Sequence, residues 1–215
     1  MDYVYHFAQF FQDGGPFMYP IAVVLCAGIA VVIERWFYLS HARSLNRSAF
    51  EQMMPLLKKH DFSAIARLAA DSRAPVARMI GAGIGRMATS RRRADIELAM
   101  GEGVLEAIPA LECRTGYLGM LANIATLLGL LGTIIGLIAA FTAVAQADPT
   151  EKASLLSLSI SVAMNTTAFG LMSAIPLLLF HSMLQTKTGE IVDSLEMAGV
   201  KSLNIIADLA SPKAA

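Results

Sequence analysis

Two long stretches without formal charge set the terms on which this chain can fold. Between Arg114 and Asp148, and again between Lys152 and Lys187, there is no Asp, Glu, Lys or Arg, and the one histidine is His181. Each stretch exceeds thirty residues, whereas about 20 residues of α-helix cross the hydrocarbon of a bilayer. Both are therefore expected to be transmembrane helices. A third apolar run, Phe17 to Ile33, is shorter, but Glu34 and Arg35 followed by Trp36, Phe37 and Tyr38 form an interfacial belt that extends it. Charged residues make up 16% of the chain, against roughly 25% in soluble domains, which puts the protein in a membrane class.

Basic residues set the expected orientation. The first sixteen residues carry Asp2 and Asp13 but no Lys or Arg, whereas Tyr38 to Arg114 carries twelve basic residues, Arg91, Arg92 and Arg93 among them. The positive-inside rule places that segment in the cytoplasm and the N-terminus outside. The expected fold is an all-α membrane protein of three transmembrane helices, whose long second and third helices extend into the cytoplasm. Its parts are an outer segment 1–16, a first transmembrane helix 17–38, a cytoplasmic helical insert 39–114 and a second transmembrane helix 115–145. An outer turn 146–154, a third transmembrane helix 155–184 and a cytoplasmic tail 185–215 complete it. Basic residues follow the first apolar run instead of preceding it, so that run is expected to remain as an anchor.

Within the insert, Ser48 and Glu51 have the spacing of a capping box that would start a helix. Asp61 is expected to cap a second helix carrying Ile65, Leu68 and Ala69, which ends before Pro75. A third runs through Val76, Met79, Ile80 and Ile84. A longer one starts near Ala94, is bent at Pro109, and, if it continues through the bend, joins the second span. The tail pattern Ile191, Leu195, Val200, Leu203 and Ile206 suits a continuation of the third helix.

Several chemistries are not expected. Cys26 and Cys113 fall in different settings and read as free thiols. His6, His41 and His60 lack metal-ligand spacing, so neither metal nor other cofactor is expected. The basic excess of the insert touches anionic lipid at most, and Arg91 to Arg93 read as a solvated helix start, with no stacking aromatics to bind nucleic acid. No nucleophile, base and orienting acid come together, so the chain does not read as an enzyme. Glu34 and Arg35 read as interfacial anchors, and His181 as interfacial.

The long spans carry polar side chains that need an explanation. On the second, Ala122, Thr126, Gly129, Thr133, Gly136 and Ala140 recur at spacings of four and three, giving a small, partly hydroxylated face. Packing of helix on helix accounts for such a stripe taken alone. The third span adds Ser161, Asn165, Thr166 and Thr167 within seven residues, and Ser173 beside Pro176. An amide such as Asn165 is costly to leave in hydrocarbon, so some of these groups must meet water, another helix or an ion.

The segments Leu127 to Gly136, LLGLLGTIIG, and Thr167 to Pro176, TAFGLMSAIP, resemble the MotA/TolQ/ExbB proton-channel family, its TolQ and ExbB branch more than its flagellar MotA branch. Asn165 with the doubled Thr166 and Thr167 is similar to the energisers of bacterial gliding motors. The resemblance implies a homopentamer in the bacterial inner membrane with a periplasmic N-terminus and a cytoplasmic C-terminus. It also implies a pore lined by the second and third helices that encloses two copies of a TolR- or ExbD-like single-span partner. Proton flow would then drive movement of the partner against the cell envelope. The family's pore threonines fall on Thr133 and Thr167, with Thr126, Ser161, Asn165 and Thr166 as further pathway residues and Gly129, Gly132, Gly136, Gly170 and Pro176 as packing residues. Val162 stands where TolQ and ExbB members typically carry a glutamate. A threonine cannot store a proton near neutral pH, so the titrating carboxylate is expected on the partner. A non-conducting membrane scaffold, whose polar faces serve assembly alone, is the alternative.

Overall fold

The computed structural model describes Phe10, Phe11 and residues 14–210, the last four as backbone only. The readings placed on Asp2, His6 and Asp13, and on the tail beyond residue 210, lie outside the described residues. Six helices whose bounds lie within the described residues follow one another: α1 Met18–Lys58, α2 Phe62–Asp71, α3 Pro75–Thr89, α4 Arg93–Glu112, α5 Thr115–Gln146 and α6 Lys152–Ala210. Among the described residues, three helical stretches are long and apolar enough to cross a membrane: Met18–Lys58, Arg93–Gln146 and Lys152–Ile206. The chain divides into two compact units, one of residues up to Glu34 with Arg114–Met183, the other of Arg35–Cys113 with the chain from Leu184 onward.

The first unit is packed with small residues inside and large ones outside. Lipid tails are as apolar as leucine, so close backbone approach holds such helices together where burial of bulk cannot. On α5 the buried positions are Thr115, Leu118, Ala122, Ala125, Gly129, Gly132 and Ala140, while Leu127, Leu130, Ile134, Ile138 and Phe141 point outward. On α6, Ala163, Thr166, Phe169, Ser173, Ala174 and Leu177 are buried, and Met164, Leu171, Ile175 and Leu179 are exposed. Leu177 fills the space over Gly28, where α1 meets α6. Arg114 pairs with Glu34 at 2.5 Å, tying α1 to the start of α5.

The second unit has an ordinary hydrophobic core. Leu39, Met53 and Leu57 of α1 and Ile65 of α2 are buried, as are Val76, Met79 and Ile80 of α3 and Ile96, Met100, Val104 and Leu111 of α4. The lower part of α6 adds Leu184, Ile191, Leu195, Ala198 and Ser202, with Thr188 between the first two, at spacings of four and three that keep one seam inward over several turns. The expected tail pattern is thus packed within its own subunit, except that Val200 is exposed. Asp61 caps α2, accepting from Ala64 N–H at 3.1 Å.

Three features differ from the sequence reading. Ser48 and Glu51 begin no helix, because α1 runs unbroken to Lys58. Gln52 donates to Ser48 Oγ at 3.3 Å and Arg47 to Glu51 at 2.9 Å, both mid-helix i,i+4 contacts, so the capping spacing here is a surface pattern. The end of α1 is instead set by His60 in the left-handed region at φ 60°, with Asp61 N–H on Leu56 C=O and His60 N–H on Leu57 C=O, the Schellman arrangement. Pro109 lies inside α4, and the break before the second span falls at Cys113 and Arg114, where Arg114 adopts φ 64°. Arg35 is no surface anchor: it is 3% exposed, its guanidinium sits 4.7 Å from the Tyr38 ring centroid, and it donates to Leu111 C=O at the end of α4. A cation there answers the unfilled carbonyls and the negative end of the helix dipole. Both cysteines are free thiols.

Candidate ion-pathway face on α5 and α6

The site is built on the closest approach between α5 and α6. A Cβ on Gly170 would lie 2.8 Å from the carbonyl oxygen of Ala125, and one on Gly129 would lie 3.3 Å from the Cα of Gly170. Gly136 meets Ala163, and Thr166 fills the notch over Gly132. A Cβ at any of these four glycines would thus meet an atom of the facing helix. Pro176 is exposed, inside an α6 that continues as helix on both sides of it.

That approach brings three of the expected pathway threonines together. Thr167 Oγ1 donates across the seam to Gly129 C=O at 3.0 Å, one turn before Thr133. Thr133 Oγ1 donates to Leu130 C=O at 2.6 Å, and Thr126 Oγ1 to Ala122 C=O at 3.1 Å. Each hydroxyl hydrogen is thus spent on a backbone carbonyl, and what remains on each oxygen is accepting capacity. The flank formed by Thr126, Thr133 and Thr167 offers hydrogen-bond acceptors and no free hydroxyl donor.

The remaining polar residues go elsewhere. Thr166 is 2% exposed, and its hydroxyl lies 2.6 Å from Gly14 C=O and 3.0 Å from Val162 C=O. It fastens the segment that precedes α1. Val162 belongs to the same contact, because a Cβ on Gly15 would come within 3.2 Å of it. Asn165 is two residues from Thr167, about 200° around the helix, so it and Ser161 occupy the opposite flank of α6. Asn165 is half-buried and Ser161 exposed, and neither has a hydrogen-bond partner among the described residues. Asn123 on α5 is a further exposed amide in the span with no hydrogen-bond partner among the described residues. The stripe of small residues used to read α5 passes it by, although an amide nine residues from the nearest Asp, Glu, Lys or Arg before it is itself a signal. His181 lies beside Gly119, with its ring 3.5 Å from a Cβ placed there.

No described cluster of three or more His, Cys, Asp or Glu exists that could hold a metal ion. Between Arg114 and Asp148 and between Lys152 and Lys187 the chain offers this flank no carboxylate.

The fold and the threonine flank define an all-helical membrane protein whose spans are packed on glycine and carry inward-bonded hydroxyls. The chain belongs to the MotA/TolQ/ExbB proton channel family, whose model matches residues 71–197, more than half of its length. A Synechocystis protein named biopolymer transport protein ExbB-like 3 is 26% identical over 190 residues, covering 83% of this chain and 90% of that protein. A Methanothermobacter thermautotrophicus protein named as a biopolymer transport ExbB homolog is 27% identical over 194 residues, covering 88% of this chain and 66% of that protein.

Proposed function

We propose that this chain is the ring-forming subunit of an ion-driven motor in a bacterial inner membrane. Copies, five by family resemblance, surround a lumen faced by Thr126, Thr133 and Thr167, which holds the single transmembrane helices of a smaller TolR- or ExbD-like partner in two copies. Protons pass by way of an Asp on the partner, and its movement does work on the cell envelope. The N-terminus is periplasmic and the C-terminus cytoplasmic, as the basic residues of 38–114 argue.

The single observation that carries this reading is the acceptor-only character of the threonine flank. A protonated carboxyl, a water or a hydronium brings the donor that these oxygens lack, whereas a charged carboxylate brings none. The face therefore distinguishes the two protonation states of an acid brought to it, and that distinction couples a proton to movement. A carboxylate must come from another chain, because these spans supply none at this depth. Their description as biopolymer transport proteins makes the relatives consistent with an energising role.

In this reading Thr166 is structural, and Ser161 and Asn165 face a neighbouring copy. The alternative is a non-conducting scaffold, favoured by the Thr167 hydroxyl being already bonded inside the subunit. Thr133→Val with Thr167→Val keeps the branched shape and removes the accepting oxygens. The expected outcome is a complex that co-purifies with its partner at wild-type yield and moves protons into liposomes at least tenfold more slowly. Loss of the assembly itself, or undiminished flux, would overturn the proposal.

A further inference from the structure

A second polar site lies in the other unit, unconnected with the ion pathway. Arg43, Asn46, Arg47 and Phe50 of α1, Val76 of α3, and Leu195 and Lys201 of α6 line a cavity of about 280 Å³. Three of its lining residues are cationic and none is acidic. Glu190 pairs with Arg43 at 3.1 Å and Glu51 with Arg47 at 2.9 Å, outside the lining, and Lys201 has no ion pair among the described residues.

Asn46 is the unusual member. It is 4% exposed, and its Oδ1 accepts from Val76 N–H at 3.1 Å, capping α3 from thirty residues upstream because Ala74 has no side chain to do so. That bond fixes the orientation of the amide, since a flip would set N–H against N–H. Its Nδ2 is left buried with no acceptor among the described residues. A buried, unfilled amide donor is costly to the fold, and an acceptor brought to it by a ligand would relieve that cost. The positive end of the α3 dipole points the same way, although its first-turn N–H groups are already taken by Asn46 and Ala74.

We propose that this cavity binds a phosphate dianion, free or as a small phosphomonoester, with Asn46 Nδ2 and Lys201 as its defining donors and the guanidinium groups of Arg43 and Arg47, each with N–H groups to spare, at its mouth. The phosphate group of an anionic lipid shares this chemistry, so the test separates the two sources.

Full-length protein in an uncharged detergent is titrated with sodium phosphate and with glycerol 3-phosphate at constant ionic strength, by calorimetry. Saturable binding of both is expected. Asn46→Asp keeps the oxygen that caps Val76 and replaces the donor with negative charge, and it should weaken binding at least tenfold with helix content unchanged. Lys201→Gln, at an exposed position with no hydrogen bond or ion pair among the described residues, should weaken it severalfold. In phosphatidylglycerol vesicles the soluble phosphate should still bind. Absence of saturable phosphate binding, equal binding by wild type and both variants, or a response to phosphatidylglycerol alone overturns the proposal.

Discussion

At the scale of single residues, strained backbone positions and caps make the clearest predictions. His60 holds the left-handed turn that ends α1, a conformation that costs an L-residue about 1–2 kcal/mol and glycine almost nothing. After allowance for the greater freedom of glycine in the unfolded chain, His60→Gly should stabilise the second unit by roughly 0.5–1 kcal/mol, measurable as a shift in its denaturation midpoint. Asp61, next in the chain, is held below its ordinary carboxylate range by the Ala64 N–H bond first and the Ser63 hydroxyl second. A group with a lowered folded pKa favours the folded state above its unfolded pKa, and that contribution fades as pH falls through the folded value. Hydrogen exchange at the start of α2 should therefore quicken below the ordinary carboxylate range in the wild type. Asp61→Asn, which caps without titrating, should show no such acid-dependent change. Asp61 was legible from sequence because a cap needs only its own neighbours. Thr166 was not, because its role depends on Gly14, 152 residues away.

At the scale of elements, the seam between α5 and α6 and the ends of the long helices carry the argument. Gly170→Ala would press a methyl group against the Ala125 carbonyl, and since backbone cannot yield like a side-chain tip, it should destabilise the helix pair by about 1–3 kcal/mol. Gly189→Ala in the same helix meets nothing within 4 Å and serves as the control, expected to be neutral or stabilising. Detergent unfolding followed by circular dichroism separates them, and equal behaviour would refute the close-packing account. The three apolar spans were legible because a bilayer imposes length and excludes charge. Where helices stop was less so. Pro109 is the conspicuous breaker, yet α4 carries it through to Glu112, and the actual break uses a positive φ at Arg114, which its sequence does not announce. Nor does any local signal tell that α1 continues past its aromatic belt. That depends on Leu39, Met53 and Leu57 finding partners on distant helices. The separation of Asn165 from Thr167 was open to simple arithmetic at 100° per residue, and only the seam shows which flank faces α5.

At the scale of the whole molecule, large apolar side chains on the outside and glycine within make a subunit suited to being surrounded. Leu127, Leu130, Ile134 and Phe141 on α5 are uncovered in the single copy, as are Leu98 and Leu105 on α4. Lipid covers some such surfaces, and neighbouring copies cover others in the ring proposed here. Vesicles holding the purified chain without its partner should keep an imposed pH gradient, followed with a trapped dye, for as long as protein-free vesicles do. Rapid collapse would contradict the assignment of the acid to the partner. The hydroxyl hydrogens of Thr126, Thr133 and Thr167, committed to carbonyls of their own scaffold, bear on how a cell tolerates making this protein. In the ring proposed above, an orphaned assembly would have nothing on that face to hand a charge onward, so a surplus of it would be electrically silent, and the membrane would keep its energy until the proposed partner arrives.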